Sequence, residues 1–424
     1  MSTVFALTFV LLLISGMPIA FVLGICAMAM LAMFSSTPIL MVPELMYNSL
    51  ASFPLMAIPF FMIAANFMAK GGTSRYLIEA ANALVGRFSG GLAIVCVLAS
   101  MIFAAICGSS VATAMAMGAI IIPAMMQQNY SRSFSAGLVA ASGTMGILIP
   151  PSIPLILYGI MADESIPRLF IAGILPGILQ GVLYICWIVF FCKKMRFGAQ
   201  APLPWSQVLR AQFRALPAFS LPVIIIGGIY TGFVTVTEAA ALGAVASIII
   251  SLFIYRECRA RDVLRIFGES MRSAGMIMFI ISTAIVFGTW LTEARIPFHM
   301  VEWVKTCNLP WWGFLLVINL VLIVLGMFLE VVSIMLITLP ILVPMIQALG
   351  IDPVHFAIVM TVNMELALIT PPVGLNLYVL SNVAKAPLSE TVQGVIPFLL
   401  LSLGQLLLIT YWPELSLFLP RLLM

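Results

Sequence analysis

Charge is what this sequence has least of. Only 8% of its 424 residues are Asp, Glu, Lys or Arg, against 63% hydrophobic, and the mean hydropathy is +1.20. A soluble domain needs far more charge to cover its surface, so a soluble protein is excluded. Apolar runs of about twenty residues or more recur along the chain, as membrane-spanning helices require. They do not alternate polar with apolar residues, which excludes a membrane β-barrel. The first run, Val4–Phe34, has no basic start and leads into further runs. It is therefore expected to be retained and not cleaved as a signal peptide.

Other absences narrow the chemistry. The seven cysteines contain no CxxC and no paired spacing, so neither a disulfide framework nor a zinc site is expected. The only histidines, His299 and His355, fall near expected helix ends and read as interfacial residues. No GxxxxGK[ST] phosphate loop is present, so transport driven by the chain's own ATPase is not expected. The three aspartates, Asp163, Asp262 and Asp352, all fall in expected loops, and neither histidine accompanies an intramembrane serine. An intramembrane protease, and enzyme activity in general, is unsupported. No organic cofactor and no nucleic-acid partner is expected, whereas the lipid bilayer is an obligatory one.

The few charges are unevenly placed. Two basic clusters, Cys192–Arg214 and Arg256–Arg272, flank an apolar stretch, Leu216–Tyr255, that turns near Gly227–Glu238. Glu238 follows Thr237 there and reads as the first-turn acid of a capped helix. Short loops rich in Lys and Arg stay in the cytoplasm. Walking outward from this hairpin places Lys70, Arg75, Arg87, Arg132 and Lys385 inside too, and only Arg168, Arg295, Lys305 and Arg421 outside. Fifteen of the 19 basic residues then lie inside. The expected N-terminus is cytoplasmic and the C-terminus is on the outer side.

The chain also repeats itself. Pro123 and Pro344 stand 221 positions apart, and the same offset relates Pro150–Pro151 to Pro371–Pro372, Gly173 to Gly394 and Pro176 to Pro397. In each copy, about 90–190 and 312–412, an apolar stretch reaches a small or polar tip, "AAICGSSVATAM" or "GMFLEVVSIMLI". A second stretch, a helix interrupted by Pro-Pro and a full span follow. The stretches flanking each tip number about seventeen residues, barely one crossing, and read as re-entrant hairpins. The charge walk opens the first hairpin to the cytoplasm and the second to the outside. Inverted repeats with broken helices meeting near the midplane are the usual build of secondary transporters.

Each repeat follows an amphipathic stretch, Gly71–Phe88 or Glu293–Cys307, expected to lie in the membrane interface, and Trp205–Phe213 reads as a third. The expected organisation is scaffold spans over 1–69, an arm helix over 70–89 and a first repeat over 90–192. A cytoplasmic amphipathic loop with scaffold spans occupies 193–291, a second arm 292–310, a second repeat 311–413 and a tail 414–424.

The tips and breaks carry the candidate chemistry. Ser109, Ser110 and Thr113 beside Gly108 offer hydroxyls, and an unwound tip offers carbonyls, the oxygen ligands sodium prefers. Thr144 and the backbone around Gly143 and Gly146 add more, because Pro150 and Pro151 supply no N–H and free carbonyls one turn upstream. Ser152 begins the second half-helix, whose positive end suits an anion, as does the start of the helix near Val111. In the second repeat Glu330 and Ser333 at the tip, with Asn363, Glu365 and Thr370 at the break, hold comparable positions, and Asn376 is a candidate substrate contact. A carboxylate in a membrane segment is costly and is normally paired or functional. The plainer reading is that these hydroxyls bond their own helices while Gly and Pro permit close packing; the constellation's recurrence at one offset favours function.

The stretches "GTMGILIPPSIPLILYG", "GGIYTGFVTVTEAAALGA" and "ELALITPPVGLNLYV" resemble the large membrane subunit, DctM/SiaM-like, of TRAP transporters, the tripartite ATP-independent periplasmic systems. The resemblance runs over essentially the whole chain. It implies an all-α, inverted-repeat, elevator-type importer in a bacterial inner membrane, driven by sodium at two or more sites. The cargo it implies is an organic acid such as a C4-dicarboxylate or sialic acid. It also implies a separate small membrane subunit and a soluble periplasmic substrate-binding protein. Carried over, one sodium site falls at Ser109–Ser110 with Gly143–Gly146, the other at Val331–Ser333 with Thr370–Pro371. Ser110, Thr144, Ser152 and Asn376 are the substrate candidates. A stand-alone sodium–anion symporter and an ion channel remain the competing readings.

Overall fold

The structure, a computed structural model, describes residues 2–35, 38–195, 202–307 and 309–424. Arg196 of the first basic cluster, Ser36 and Thr37 of the outer loop and Asn308 of the second arm lie outside them. Helices α1 (Ser2–Ile14) and α2 (Ile19–Phe34) divide the first apolar run, where Gly16 takes a φ of 77° and Pro18 brings no N–H. Then come α3 (Met41–Leu50), α4 (Ala57–Lys70) and the first arm, α5 (Thr73–Val85). The first repeat holds α6 (Gly91–Cys107), α7 (Ser110–Gln127), α8 (Arg132–Thr144), α9 (Ile153–Ala162) and α10 (Ile166–Met195). Next are α11 (Trp205–Tyr230), α12 (Val236–Ile249), α13 (Ala260–Glu293) and the second arm, α14 (Ile296–Thr306). The second repeat holds α15 (Trp311–Gly326), α16 (Val331–Ala348), α17 (Pro353–Leu368), α18 (Leu375–Ala384) and α19 (Leu388–Tyr411), and α20 (Glu414–Leu423) ends the chain.

The described residues are all-α, without a strand, and eight of the helices are long and apolar enough to cross a membrane. Positions 221 apart fall in matching helices, and both Pro150–Pro151 and Pro371–Pro372 are cis.

Several local expectations differ from the structure. The amphipathic stretch from Trp205 is the first turns of α11, which runs on unbroken because Pro217 and Pro222 are accommodated inside it. Most of the second basic cluster is helical, in α13. Part of the loop Ser35–Pro54 is α3, and the tail is α20, whose Ser416 and Leu417 are buried. The cap of α12 is Thr235, not Thr237: Thr235 Oγ1 accepts from Glu238 N, Glu238 answers to Thr235 N, and Thr237 bonds Phe53 O. His299 is exposed beside Glu302, as an interfacial residue should be, but His355 is 2% exposed, packed inside the start of α17.

Long-range polar contacts fall into two groups. One ties the repeats together: Ser133 Oγ donates to Glu390 O, Arg132 to Lys385 O, Tyr158 Oη to Pro353 O and Gln405 Nε2 to Pro176 O. The other ties the flanking helices to themselves: Asn66 Nδ2 to Ser270 Oγ, Ser251 Oγ to Phe67 O, and Lys70 to Glu269. Residues assigned to one membrane side by charge alone, such as Arg132 and Lys385, meet in space. Where α8 crosses α19 the backbones touch: a Cβ on Gly394 would stand 1.9 Å from Ser133 O.

Candidate functional site

Both tips open on one cavity of about 280 Å3. Gly108, with φ of 61°, ends α6, and Ser109 in extended conformation starts α7. Gly108–Val111 line one side of the cavity and Glu330–Val332 the other. Ile147, Ile153 and Leu368 bring in the two broken helices. Met62 of α4 and Ser273, Met276 and Ile277 of α13 close the remaining face. No Lys, Arg or His lines it.

The first tip sits on the first break. A Cβ on Gly146 would stand 2.7 Å from Ser109 O and 2.9 Å from Thr113 Oγ1, and one on Gly143 would stand 2.7 Å from Ala114 Cβ. Only glycine allows this approach. Thr113 is buried behind the tip, its hydroxyl donating to Ser109 O at 2.8 Å. Ser110 is 3% exposed, at the first position of α7, and accepts from Asn376 Nδ2 at 2.7 Å. Asn376, fully buried in α18, also donates to Ala140 O at 3.1 Å.

Ser152 and Thr144 do not line the cavity. Ser152 caps α9, accepting from Leu155 N and donating to Ile147 O, and is fully buried. Thr144 donates to Ala141 O at 2.8 Å and is buried. In the second repeat Glu330 faces the cavity at the N-cap of α16 without capping it, and Val331 lines the wall. Ser333 is buried, its Oγ without a partner. Thr370 donates to Leu366 O, and Pro371 is exposed, unlike its buried counterpart Pro150.

Glu365 is buried too, but on another face of α17. Asn363 Nδ2 reaches Asn319 Oδ1 of α15 at 2.7 Å. Two residues on, about 200° around the helix, Glu365 turns away from that hairpin. Its carboxyl lies beside Gln180 of α10, with Tyr184 nearby, and neither carboxyl oxygen has a hydrogen-bond partner among the described residues. Gln180 Nε2 reaches Thr144 Oγ1 at 3.5 Å and Tyr184 Oη at 3.3 Å, and Tyr184 Oη shares a proton with Ser402 Oγ at 2.6 Å. Sequence reasoning missed this buried polar cluster, although a glutamine between Arg168 and Lys193, inside an otherwise apolar run, was its signal. It also missed Ser273 and the apolar residues of α4 and α13 that complete the cavity; nothing in their spacing marks them.

Apolar helices around a cavity built from two helix tips define a multi-pass membrane protein of carrier type. The family model of the "Tripartite ATP-independent periplasmic transporter, DctM component" matches residues 6–415. A C4-dicarboxylate TRAP transporter large permease protein of Pseudomonas aeruginosa is 43% identical over 399 residues, covering 94% of this chain and 93% of that one. A sialic acid TRAP transporter large permease protein of Vibrio cholerae is 34% identical over 411 residues, covering 97% and 96%. Among solved structures, the YdaH transporter of Alcanivorax borkumensis superposes with a TM-score of 0.62 at 14% identity, over 88% of this chain and 87% of that one, a likeness of fold. The chain belongs to the DctM family of TRAP transporter large permeases, a family of transporters and not of enzymes.

Proposed function

We propose that this chain is the permease subunit of a sodium-coupled, binding-protein-dependent secondary importer of organic acids in a bacterial inner membrane. The cavity carries the reading. It joins Ser109, Ser110 and the start of α7 to both broken helices and offers no basic side chain. An organic anion there is met by hydroxyls, helix starts and bound cations. Sodium is assigned to the first tip with Gly143–Gly146, where glycines bring the tip onto freed carbonyls. A second sodium is assigned to Val331–Ser333 with Thr370–Pro371, beside Glu330. Substrate classes of the relatives, C4-dicarboxylates and sialic acid, set the range of cargo.

The repeats form inverted halves with two re-entrant hairpins and move as one body, elevator-fashion, past α4 and α11–α13. Two observations support that division. The long-range hydrogen bonds named above run within the repeats or within the flanking helices. In the cleft where Ile149, Ile174 and Ile178 meet Phe219, Pro222 and Val223, the facing surfaces are apolar. A small membrane subunit widens the scaffold, and a soluble periplasmic protein delivers the acid. Reconstitution tests the partnership: uptake should require both partners, and uptake by this chain alone would establish the stand-alone symporter instead.

A further inference from the structure

Asn376 comes from the second repeat yet ends beside the first tip. Its amide orientation is fixed by what it touches. Ala140 O, a backbone carbonyl, can only accept, so the group facing it at 3.1 Å is the nitrogen. That same nitrogen lies 2.7 Å from Ser110 Oγ, so Ser110 is the acceptor of this bond. The serine's own proton must then point elsewhere. Among the described residues no protein acceptor takes it, and Ser110 lines the cavity.

The bridge exists only once. The position matching Ser110 in the second repeat is Val331, and the one matching Asn376 in the first is Leu155. Ser109, in turn, is matched by Glu330. The two tips thus face one cavity with opposite character, a donor hydroxyl above free N–H groups of a helix start on one side and a carboxylate on the other.

We propose that Asn376 is a positioning residue that turns the Ser110 proton into the cavity, making the first tip the seat of the substrate's carboxylate and holding that group away from Glu330. On this assignment the Ser110 hydroxyl serves the anion and not a cation, and sodium at this tip is held by backbone oxygens. Asn376 itself touches no substrate; it acts through Ser110. The inference rests on reading the cavity as the site of an organic anion.

The test is a double-mutant cycle in the reconstituted complex, with small subunit and binding protein, measuring KM for the acid and half-saturation by sodium. Labelled succinate and sialic acid are the probes. Ser110→Ala should raise KM about tenfold, the loss of one hydrogen bond to a charged group. Asn376→Ala should raise it comparably, and the double variant no further than Ser110→Ala alone. Sodium half-saturation should stay unchanged, and Ser110→Thr, which keeps the hydroxyl, should recover part of the loss. Multiplying effects in the double variant would overturn the inference, as would a shift in sodium half-saturation with KM intact. If Asn376→Ala does not fold, the Ser110→Ala and Ser110→Thr pair still decides by which of the two constants moves. Wild-type complex that imports neither probe would remove the anion reading itself, an outcome separate from either variant's behaviour.

Discussion

Thr144 and Glu365 stand 221 positions apart, at the same place in the two repeats; the Gln180 amide reaches Thr144 Oγ1 at 3.5 Å and lies beside the Glu365 carboxyl, whose oxygens have no hydrogen-bond partner among the described residues. Gln180 of α10 stands between the two positions. Glu365 thereby sits in a cluster with Gln180, Tyr184 and Ser402, with no cationic side chain in it. Both Glu365 carboxyl oxygens and Gln180 Oε1 are buried without a hydrogen-bond partner among the described residues, and a buried carboxylate ion without a counter-charge costs several kcal/mol.

Glu365→Gln, which mimics the neutral acid, should therefore keep sodium-dependent uptake. Glu365→Leu should destabilise the protein by about 1–3 kcal/mol, because it sets an apolar side chain against the buried polar groups of Gln180 and Tyr184. Uptake assays beside thermal unfolding in detergent separate the two effects. Loss of sodium dependence in Glu365→Gln would return the residue to the cation site.

The contact of α8 with α19 leaves no room for a side chain. Gly394→Ala would force its Cβ to within 1.9 Å of Ser133 O, backbone that cannot yield locally. A large fall in melting temperature and in folded yield is expected. Gly404→Ala on the same helix meets nothing within 4 Å and should match or slightly exceed wild-type stability. Equal melting temperatures for the two variants would disprove the close packing.

The sliding proposed for the repeats past α11 can be arrested directly. Ile178 and Val223 line one apolar cleft from opposite sides. Cysteines placed at both, in a background lacking the seven native ones, should stop uptake when joined by a bifunctional thiol reagent and restore it on reduction. A link between positions 66 and 270, within the scaffold, should leave uptake intact. Full uptake through a linked 178–223 pair would contradict an elevator motion.

Much of the fold was legible in the sequence because the bilayer imposes it. Apolar runs must become helices, and a Pro-Pro pair removes two successive backbone donors, so the breaks at Pro150 and Pro371 followed from local rules, as the tips at Gly108 and Glu330 did from their small or polar residues. The 221-residue offset then paired them. What could not be read is what depends on rotation about a helix. Asn363 and Glu365 sit two residues apart in one string, yet one turns to α15 and the other to α10. The bonds that the Ser152 and Thr144 hydroxyls donate to Ile147 O and Ala141 O likewise depend on how each side chain is turned. The scaffold's part in the cavity, Met62 and Ser273 to Ile277, carries no sequence mark because apolar side chains serve equally against lipid and against protein.

The most direct test of the account is uptake into liposomes holding this chain with its small subunit, supplied with the binding protein and labelled acid, under an imposed inward sodium gradient and no ATP. Accumulation above the outside concentration, lost when potassium replaces sodium, is the predicted result. Uptake that only equilibrates, or that proceeds unchanged without sodium, would contradict it.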